Sequence, residues 1–480
     1  MPFEKKELKK KSENISDWYN NVVLKAELAD YGPVRGTMVI RPYGYAIWEK
    51  VQEIMNGMFR TKGVENAYFP MFIPMSMLEK EKAHIEGFSP ELAVVTIGGG
   101  EKLADPLVVR PTSETIMYSM YAKWVHSWRD LPVLINQWNN IVRWEKRTYL
   151  FLRTLEFLWQ EGHTAHETEK EAMDMVLTAL DWYRRVYEEY FAIPVCFGLK
   201  SENEKFAGGK STYTIEALMP DGKALQAGTS HNLAQNFSKV FEIQFQNREG
   251  KEDFVWQTSW GFSTRSMGGL FLVHGDDNGL ILPPKIAPIQ IVVIPIPKSD
   301  SDPKKLLEYV ERITHSLEEL GMRVKTDVRD TVSVGRKFNE WEVKGVPIRL
   351  EIGQKEMEDH TVTVVLRDTG EKQTIAYTAF VPEASAMLGA MQKRMFDKQK
   401  KFLDENTRDA STWEEFTNIM ESTRGFIRAL WCEESACEKQ IKEKTKACTR
   451  CLPLGSKEEK GVCVHCGKPA VHRWLFGQSY

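Results

Sequence analysis

The sequence predicts an α+β chain of two to four domains, and three observations carry that expectation. Its 480 residues exceed what one hydrophobic core holds. Two strand-like runs, Leu134 to Glu145 and Phe151 to His163, flank a charged turn and predict a central hairpin. From Gln290 to Arg367 strand patterns alternate with a helical one, as in a small parallel-rich α/β unit.

Composition removes several classes. A hydrophobic fraction of 42% supports packed cores, so the chain is not disordered. With a net charge of -3, any nucleic-acid surface is a local basic patch. No run of about 18 apolar residues occurs, so no membrane span is expected. Behind Lys5 and Lys6 there is no apolar segment of secretory type, and a cytoplasmic location is expected. Six of the seven cysteines lie between Cys432 and Cys466, which in a cytosolic chain reads as metal rather than disulfide.

The elements follow in order. Glu4 to Glu27 is expected to be helical, with Ile15, Trp18, Tyr19, Val22, Val23 and Ala26 at helical spacing. A turn at Arg41 to Gly44 precedes a helix from Ala46 to Lys62 and a strand from Ala67 to Pro74. Leu107 to Val109 is a short buried strand that delivers Arg110-Pro111-Thr112-Ser113-Glu114. Thr112 and Glu114 lie two apart, so an extended loop turns both the same way. A hydroxyl and a carboxylate so placed accept the two N–H donors of a secondary ammonium. Ser113 also suits a helix N-cap, and the two roles are compatible.

Side chains alternate faces along a strand, so Arg143 and Glu145 share a face, as do Arg153, Phe157, Trp159, Glu161 and His163. Cations, carboxylates, flat rings and a histidine together make a poor core and a good nucleotide platform. Arginine grips phosphate with a planar fork, and a phenyl ring stacks under a base. A solvated hairpin face rarely carries Phe and Trp between its charges. Glu167 to Phe191 reads as a core-facing helix, and Ile193 to Phe197 and Tyr213 to Ala217 read as strands. Gly208-Gly209 lacks the spacing of a phosphate loop and is expected to be a turn, with Phe206 as an apolar wall.

Arg143-x-Glu145, a loop, then Arg153-x-x-x-Phe157 resembles motif 2 of the class II aminoacyl-tRNA synthetases. Ala67 to Pro74 resembles motif 1, and Trp256 to Arg265 resembles motif 3. Arg110 to Thr115 and Gly228 to Asn232 narrow the resemblance to the prolyl-tRNA synthetases of archaeal and eukaryotic type. The resemblance covers nearly the whole chain. It implies a mainly antiparallel class II catalytic sheet in an α+β domain at 1–283. An α/β anticodon-binding domain at 284–395 and a small α+β zinc domain at 396–480 would follow. Motif 1 implies a homodimer.

By the same resemblance, ATP would meet Arg143, Glu145, Arg153, Thr154, Phe157, Gln226, Thr229, Ser263 and Arg265. Arg143 and Arg265 would be the catalytic pair, and Mg²⁺ would bridge the phosphates. L-proline would meet Thr112, Glu114, Arg143, Trp159, Glu161, His163, Phe206 and His231. Arg336, Glu340 and Arg349 would read the anticodon. Between Arg153 and Arg265 there is room for the sheet but not for a large inserted editing domain. Clearance of alanyl-tRNA would then fall to a separate protein.

Ala384 to Lys401 and Trp413 to Trp431 are expected to be helical. They lead to Cys432-x4-Cys437, Cys448-x2-Cys451 and Cys463-x2-Cys466. Structural Zn²⁺ takes four thiolates. Spacing favours Cys448, Cys451, Cys463 and Cys466, whereas the resemblance favours Cys432, Cys437, Cys463 and Cys466. In this branch of the family a terminal tyrosine, here Tyr480, packs towards the active site. The expected activity is ATP-dependent activation of L-proline, then its transfer to the 3′ end of tRNA(Pro). A sister enzyme for threonine, serine or glycine is disfavoured by the Thr112–Glu114 loop. A non-catalytic tRNA-binding paralogue predicts loss of Arg143, Arg153 or Arg265, and all three are present.

Overall fold

The computed structural model describes residues 8–79, 92–298 and 303–480. Asn14 accepts from the Ser16 and Asp17 amides and so starts helix α1, Ile15–Lys25. The helix expected from Glu4 therefore begins at this cap, and residues 4–7 of that expectation lie outside the described residues. Helix α2, Pro42–Arg60, opens on a proline that needs no amide partner. The strand expected over Ala67 to Pro74 shrinks to Phe72–Pro74, paired with β1, Glu101–Val109. Helix α3, Glu114–Trp124, follows the Thr112 loop.

Strands β2, Val133–Val142, and β3, Glu156–His166, form the expected hairpin, with Gln137 opposite Glu161. β3 begins at Glu156 rather than Phe151. Phe151 adopts φ +61°, and Tyr149 and Arg153 exchange backbone hydrogen bonds across a tight turn. Arg153 is consequently a loop residue, and Arg143 is the first residue past β2. Helix α4, Glu169–Arg185, buries Met175, Val176, Ala179, Leu180, Trp182 and Tyr183. One π turn extends it to Tyr190.

Strands β4, Cys196–Leu199, β5, Ser211–Leu218, β6, Ala224–Ala234, and β7, Trp256–Ser263, complete the catalytic ladder. Helix α5, Arg265–His274, closes it. The order β4-β5-β6-β7-β3-β2 is antiparallel throughout, as expected. The aromatic core lies between this sheet and α1, α2, α4 and α5, and on the opposite face a cluster of Met117, Tyr118, Tyr121 and Phe237 covers one end and leaves the rest to build a site.

A second unit has its own core. It contains β8, Ile291–Ile296, α6, Pro303–Glu319, β9, Val324–Thr326, and α7, Val334–Val343. Then come β10, Ile348–Gly353, β11, Thr361–Leu366, and β12, Lys372–Ala376. The sheet order is β9-β8-β10-β11-β12, parallel among the first three strands and antiparallel after them.

Helix α8, Tyr377–Glu405, runs without a break through residue 395. β13, Thr407–Asp409, α9, Trp413–Ser422, β14, Phe426–Trp431, and α10, Ser435–Thr445, lead to β15, Ala447–Pro453, and β16, His472–Gln478. The helix expected over Trp413 to Trp431 stops at Ser422. Arg424 and Gly425 take φ of +57° and +90°, which no right-handed helix continues through, and the chain leaves as β14. β15 pairs with β4, Leu452 opposite Leu199, so β13, β14, β16 and β15 join the six strands of the ladder, and the short Glu65–Asn66 strand beside β2 makes eleven among the described residues. Gly198 permits this approach, because a Cβ there would strike the Leu452 carbonyl. Among the described residues no helix is long and apolar enough to cross a membrane.

Candidate active site

The free sheet face carries a cavity of about 250 Å³. Strand β3 supplies Phe157, Trp159, Glu161 and His163 through simple alternation. Strand register lines His163, Ser259 and His231 in one row and Glu161, Gly261 and Thr229 in the next. Gln226 and Thr229 sit three apart, a spacing that would put them on opposite faces. A bulge opposite the Ile215–Glu216 step inserts a residue and brings both to the cavity. Gly261 leaves room for the Trp159 ring, which lies 3.1 Å from where a Cβ would stand.

The end of β1 turns Thr112 and Glu114 into the cavity, and Thr112 Oγ1 donates to Glu114. Ser113 is the residue before α3, but its side chain makes no cap. Instead its hydroxyl and its amide both donate to Glu161. Glu161 also accepts from Asn139 Nδ2 at 2.7 Å, Gln137 Nε2 at 3.1 Å and His163 Nε2 at 3.0 Å. His163 Nδ1 faces Tyr118 Oη at 3.1 Å. Burial works against both charges of this pair. The His163 hydrogen bond nevertheless holds the Glu161 carboxyl below its usual range, and Glu161 with Glu114 raises the imidazole.

Arg143 stands 5.7 Å from the Phe157 and Trp159 ring centres, and its Nε donates to the Pro111 carbonyl at 3.2 Å. Arg265 opens α5 and donates to the Leu152 carbonyl at 3.0 Å. Burial, then the charge of Arg153, lowers the pKa of Arg265. Phe206 packs on the His231 ring at 4.5 Å, and Thr212 Oγ1 holds His231 Nδ1 at 2.9 Å. Among the described residues Ser259 Oγ and Trp159 Nε1 are buried without a hydrogen-bond partner. Buried polar atoms are rarely orphaned, and both residues line the cavity, where a ligand's polar groups could meet them.

A second cavity of about 470 Å³ adjoins the first and shares Glu204, Gln226 and Arg265 with it. Glu145 and Arg153 line this one, joined by a 2.6 Å hydrogen bond. Arg147, Lys223, Arg450 and Tyr480 line it too, so the terminal tyrosine does reach the site. Thr154 lines neither cavity. It is buried, and its hydroxyl donates to the Glu156 carbonyl at 2.7 Å, a turn contact. Sequence reasoning missed Ser259, which alternation along β7 from Ser263 would have found, and Lys200, which no pattern flagged.

The other candidates lie apart from the cavities. Arg336 Nε donates to Glu340 at 2.8 Å on α7. Arg349 pairs with Glu351 and stacks on Phe338 at 4.5 Å. Cys432, Cys437, Cys463 and Cys466 bring four sulfurs within 4.8 Å of one another. Cys437 and Cys463 are 3.7 Å apart, and Cys432 and Cys466 are 3.5 Å apart. Tetrahedral zinc with Zn–S near 2.3 Å sets sulfurs about 3.8 Å apart, so this quartet fits it. Cys448 and Cys451 lie on β15, where Cys451 packs with Leu218, Phe426 and Leu475. A second cluster, Glu114, Glu161 and His163, also meets a metal's spacing. Thr112, Ser113, Gln137, Asn139 and Tyr118 already occupy those atoms.

An antiparallel sheet bearing paired arginines and a ring platform defines a class II aminoacyl-tRNA synthetase. Residues 99–272 match the family model described as tRNA synthetase class II core domain (G, H, P, S and T). Residues 290–387 match the anticodon binding domain, and residues 413–480 match Prolyl-tRNA synthetase, C-terminal. The proline–tRNA ligase of Natranaerobius thermophilus is 52% identical over 96% of this chain and 95% of its own. That of Flavobacterium johnsoniae is 49% identical over 99% and 100%, and proline–tRNA ligase 2 of Clostridioides difficile is 48% identical over 99% and 98%. The chain belongs to the proline–tRNA ligase family.

Proposed function

We propose that this enzyme activates L-proline with ATP, releases pyrophosphate, and transfers proline to the 3′ end of tRNA(Pro). The observation that carries the reading is the meeting of Thr112, Glu114, Arg143 and Arg265 in one cavity that also holds two orphaned polar atoms. Thr112 and Glu114 accept the two N–H donors of the proline nitrogen, while Trp159, Phe206 and His231 wall the ring. Glu161 and His163 hold the loop and the back of the pocket. Proline's ionised carboxylate attacks the α-phosphorus and the bond to pyrophosphate breaks, so no general base is required. Arg143 clamps the carboxylate and α-phosphate, Phe157 carries the adenine, and Gln226, Thr229 and Ser263 fix the nucleotide. Arg153 takes the outer phosphates, Arg265 lies over the adenine face opposite Phe157 and near the phosphates, and Glu145 orients the adenine or ribose side. Catalysis is positioning and charge neutralisation. Glu204 lines both cavities with one carboxylate oxygen 3.3 Å from Lys442, and its other oxygen would be the ligand for Mg²⁺, which would supply neutralisation of phosphate charge.

We place the chain in the branch of archaeal and eukaryotic architecture, without an inserted editing domain. Every strand between Arg153 and Arg265 except the small Gln244–Gln246 hairpin belongs to the catalytic sheet, which supports that placement. A separate protein then clears alanyl-tRNA. The domains divide near 283 and 395, with α8 bridging the second division. Arg336, Glu340 and Arg349 contact the anticodon, and zinc fills the Cys432 quartet as a structural ion. A cytoplasmic homodimer forms through the face of exposed Tyr68 and Phe72.

The first test is amino-acid-dependent exchange of labelled pyrophosphate into ATP across all twenty amino acids. Exchange with proline, and weakly with alanine, is expected. One missing methylene is worth only about 1–3 kcal/mol of discrimination. Exchange with another amino acid alone would sink the assignment of Thr112, Glu114 and His231.

A further inference from the structure

Lys200 directly follows β4, is only 5% exposed, and lines the central cavity. A lysine this buried calls for a counter-charge. The carboxylate near it is Glu216, itself 0% exposed, with Oε1 at 3.8 Å from Lys200 Nζ, beyond a good hydrogen bond. That carboxylate is already committed. Its Oε2 accepts a fork from Arg450, Nε at 3.0 Å and Nη2 at 2.6 Å, and its Oε1 accepts from Thr214 at 2.9 Å. Arg450 arrives on β15, the strand whose Leu452 faces Leu199 in β4. Backbone pairing therefore fixes both cations about one carboxylate. These three groups set two cations against one carboxylate, and the other buried acid beside them, Glu438, is taken by Ser201, Asn203 and Thr449; a buried charge that only shares its counter-charge is costly. Glu204, the nearby acid of the cavity wall, is engaged by Lys442 at 3.3 Å.

We propose that Lys200 is a phosphate-binding residue of this active site and that Arg450, by occupying Glu216, keeps its ammonium available to the cavity. The proposal rests on the assignment of the cavity to proline and ATP. Two phosphate sources reach such a site: the triphosphate of ATP and the 3′-terminal phosphodiester of tRNA. Arg450 is a positioning residue that acts through Glu216.

The full chain carrying Lys200→Met, Lys200→Arg or Arg450→Met is assayed in two arms, each below its melting temperature read by circular dichroism. Proline-dependent pyrophosphate exchange reads the ATP source. Single-turnover transfer from preformed prolyl-adenylate reads the tRNA source. Lys200→Met is expected to slow one arm by at least about tenfold, the order of one lost charge-assisted hydrogen bond. Lys200→Arg is expected to retain most of that arm, and Arg450→Met to slow the same arm, because the released carboxylate draws Lys200 away. Lys200→Gln replaces Lys200→Met if the latter does not fold, since its amide spans the same site without the charge. Unchanged rates in both arms of a folded, uncharged variant overturn the proposal, as does an equal loss in Lys200→Arg. Wild-type enzyme without proline-dependent exchange would instead overturn the assignment of the cavity.

Discussion

At the scale of single residues, Glu161 organises the back of the central cavity. It takes donors from Ser113, Gln137, Asn139 and His163, and thereby fixes the loop that presents Thr112 and Glu114. This sets a pH dependence. His163 has a native pKa above its ordinary 6.5, so its protonation favours the folded state. That contribution is complete below pH 6.5 and disappears as pH rises through the raised native value. Melting temperature is expected to fall across that window, and His163→Gln to remove this part of the slope in a calorimetric pH series. Arg143→Ala should lower pyrophosphate exchange by about 10²–10³, the size of one lost transition-state donor, while a filter-binding measurement finds tRNA affinity unchanged. Much of the pocket was legible in the sequence, because strand alternation places Phe157, Trp159, Glu161 and His163 without further information. Gln226 and Thr229 needed the bulge, which no period reveals, and their roles came from the family's string. Thr154 was named from the resemblance, and no period shows that a turn holds its hydroxyl on the Glu156 carbonyl; Lys200 was missed because a lone lysine at a strand end carries no pattern.

At the scale of elements, the hairpin of β2 and β3 is the platform, and glycines set how closely it packs. Gly162 lies between Glu161 and His163, opposite Trp260 of β7, and a Cβ there would enter the indole ring. Gly162→Ala should cost about 1–3 kcal/mol by overpacking. A lowered denaturation midpoint at unchanged m-value would record it. Elements were predicted well where hydrophobic periodicity was long, as in α4 and α6. They were predicted badly where one backbone conformation decides. Phe151, at positive φ, ends a run that alternation alone extends into β3, and Arg424–Gly425 divides what reads as one helix into α9 and β14.

At the scale of the whole molecule, the C-terminal unit and the catalytic sheet form one ladder through β15 and β4. The cysteines divide accordingly between a sulfur quartet and the buried strand β15. Cys437→Ser should abolish bound zinc measured by plasma mass spectrometry, whereas Cys451→Ser should keep it, because Cys451 packs among Leu218, Phe426 and Leu475. The sequence alone left the quartet open, since ribbon spacing favoured the pair that β15 buries instead. The bound at residue 395 came from the resemblance, and helix α8 runs across it with no compositional break.

The same ladder fixes an order of events during synthesis. A chain growing from its N-terminus on the ribosome finishes β4 long before residues 447–453 emerge. Until then β4 presents an unpaired edge, the kind of template that recruits strands from other chains. A nascent chain stalled between β4 and β15 is therefore an aggregation hazard rather than a free-standing catalytic domain, and the fragment 1–395 should show concentration-dependent light scattering that the full chain lacks.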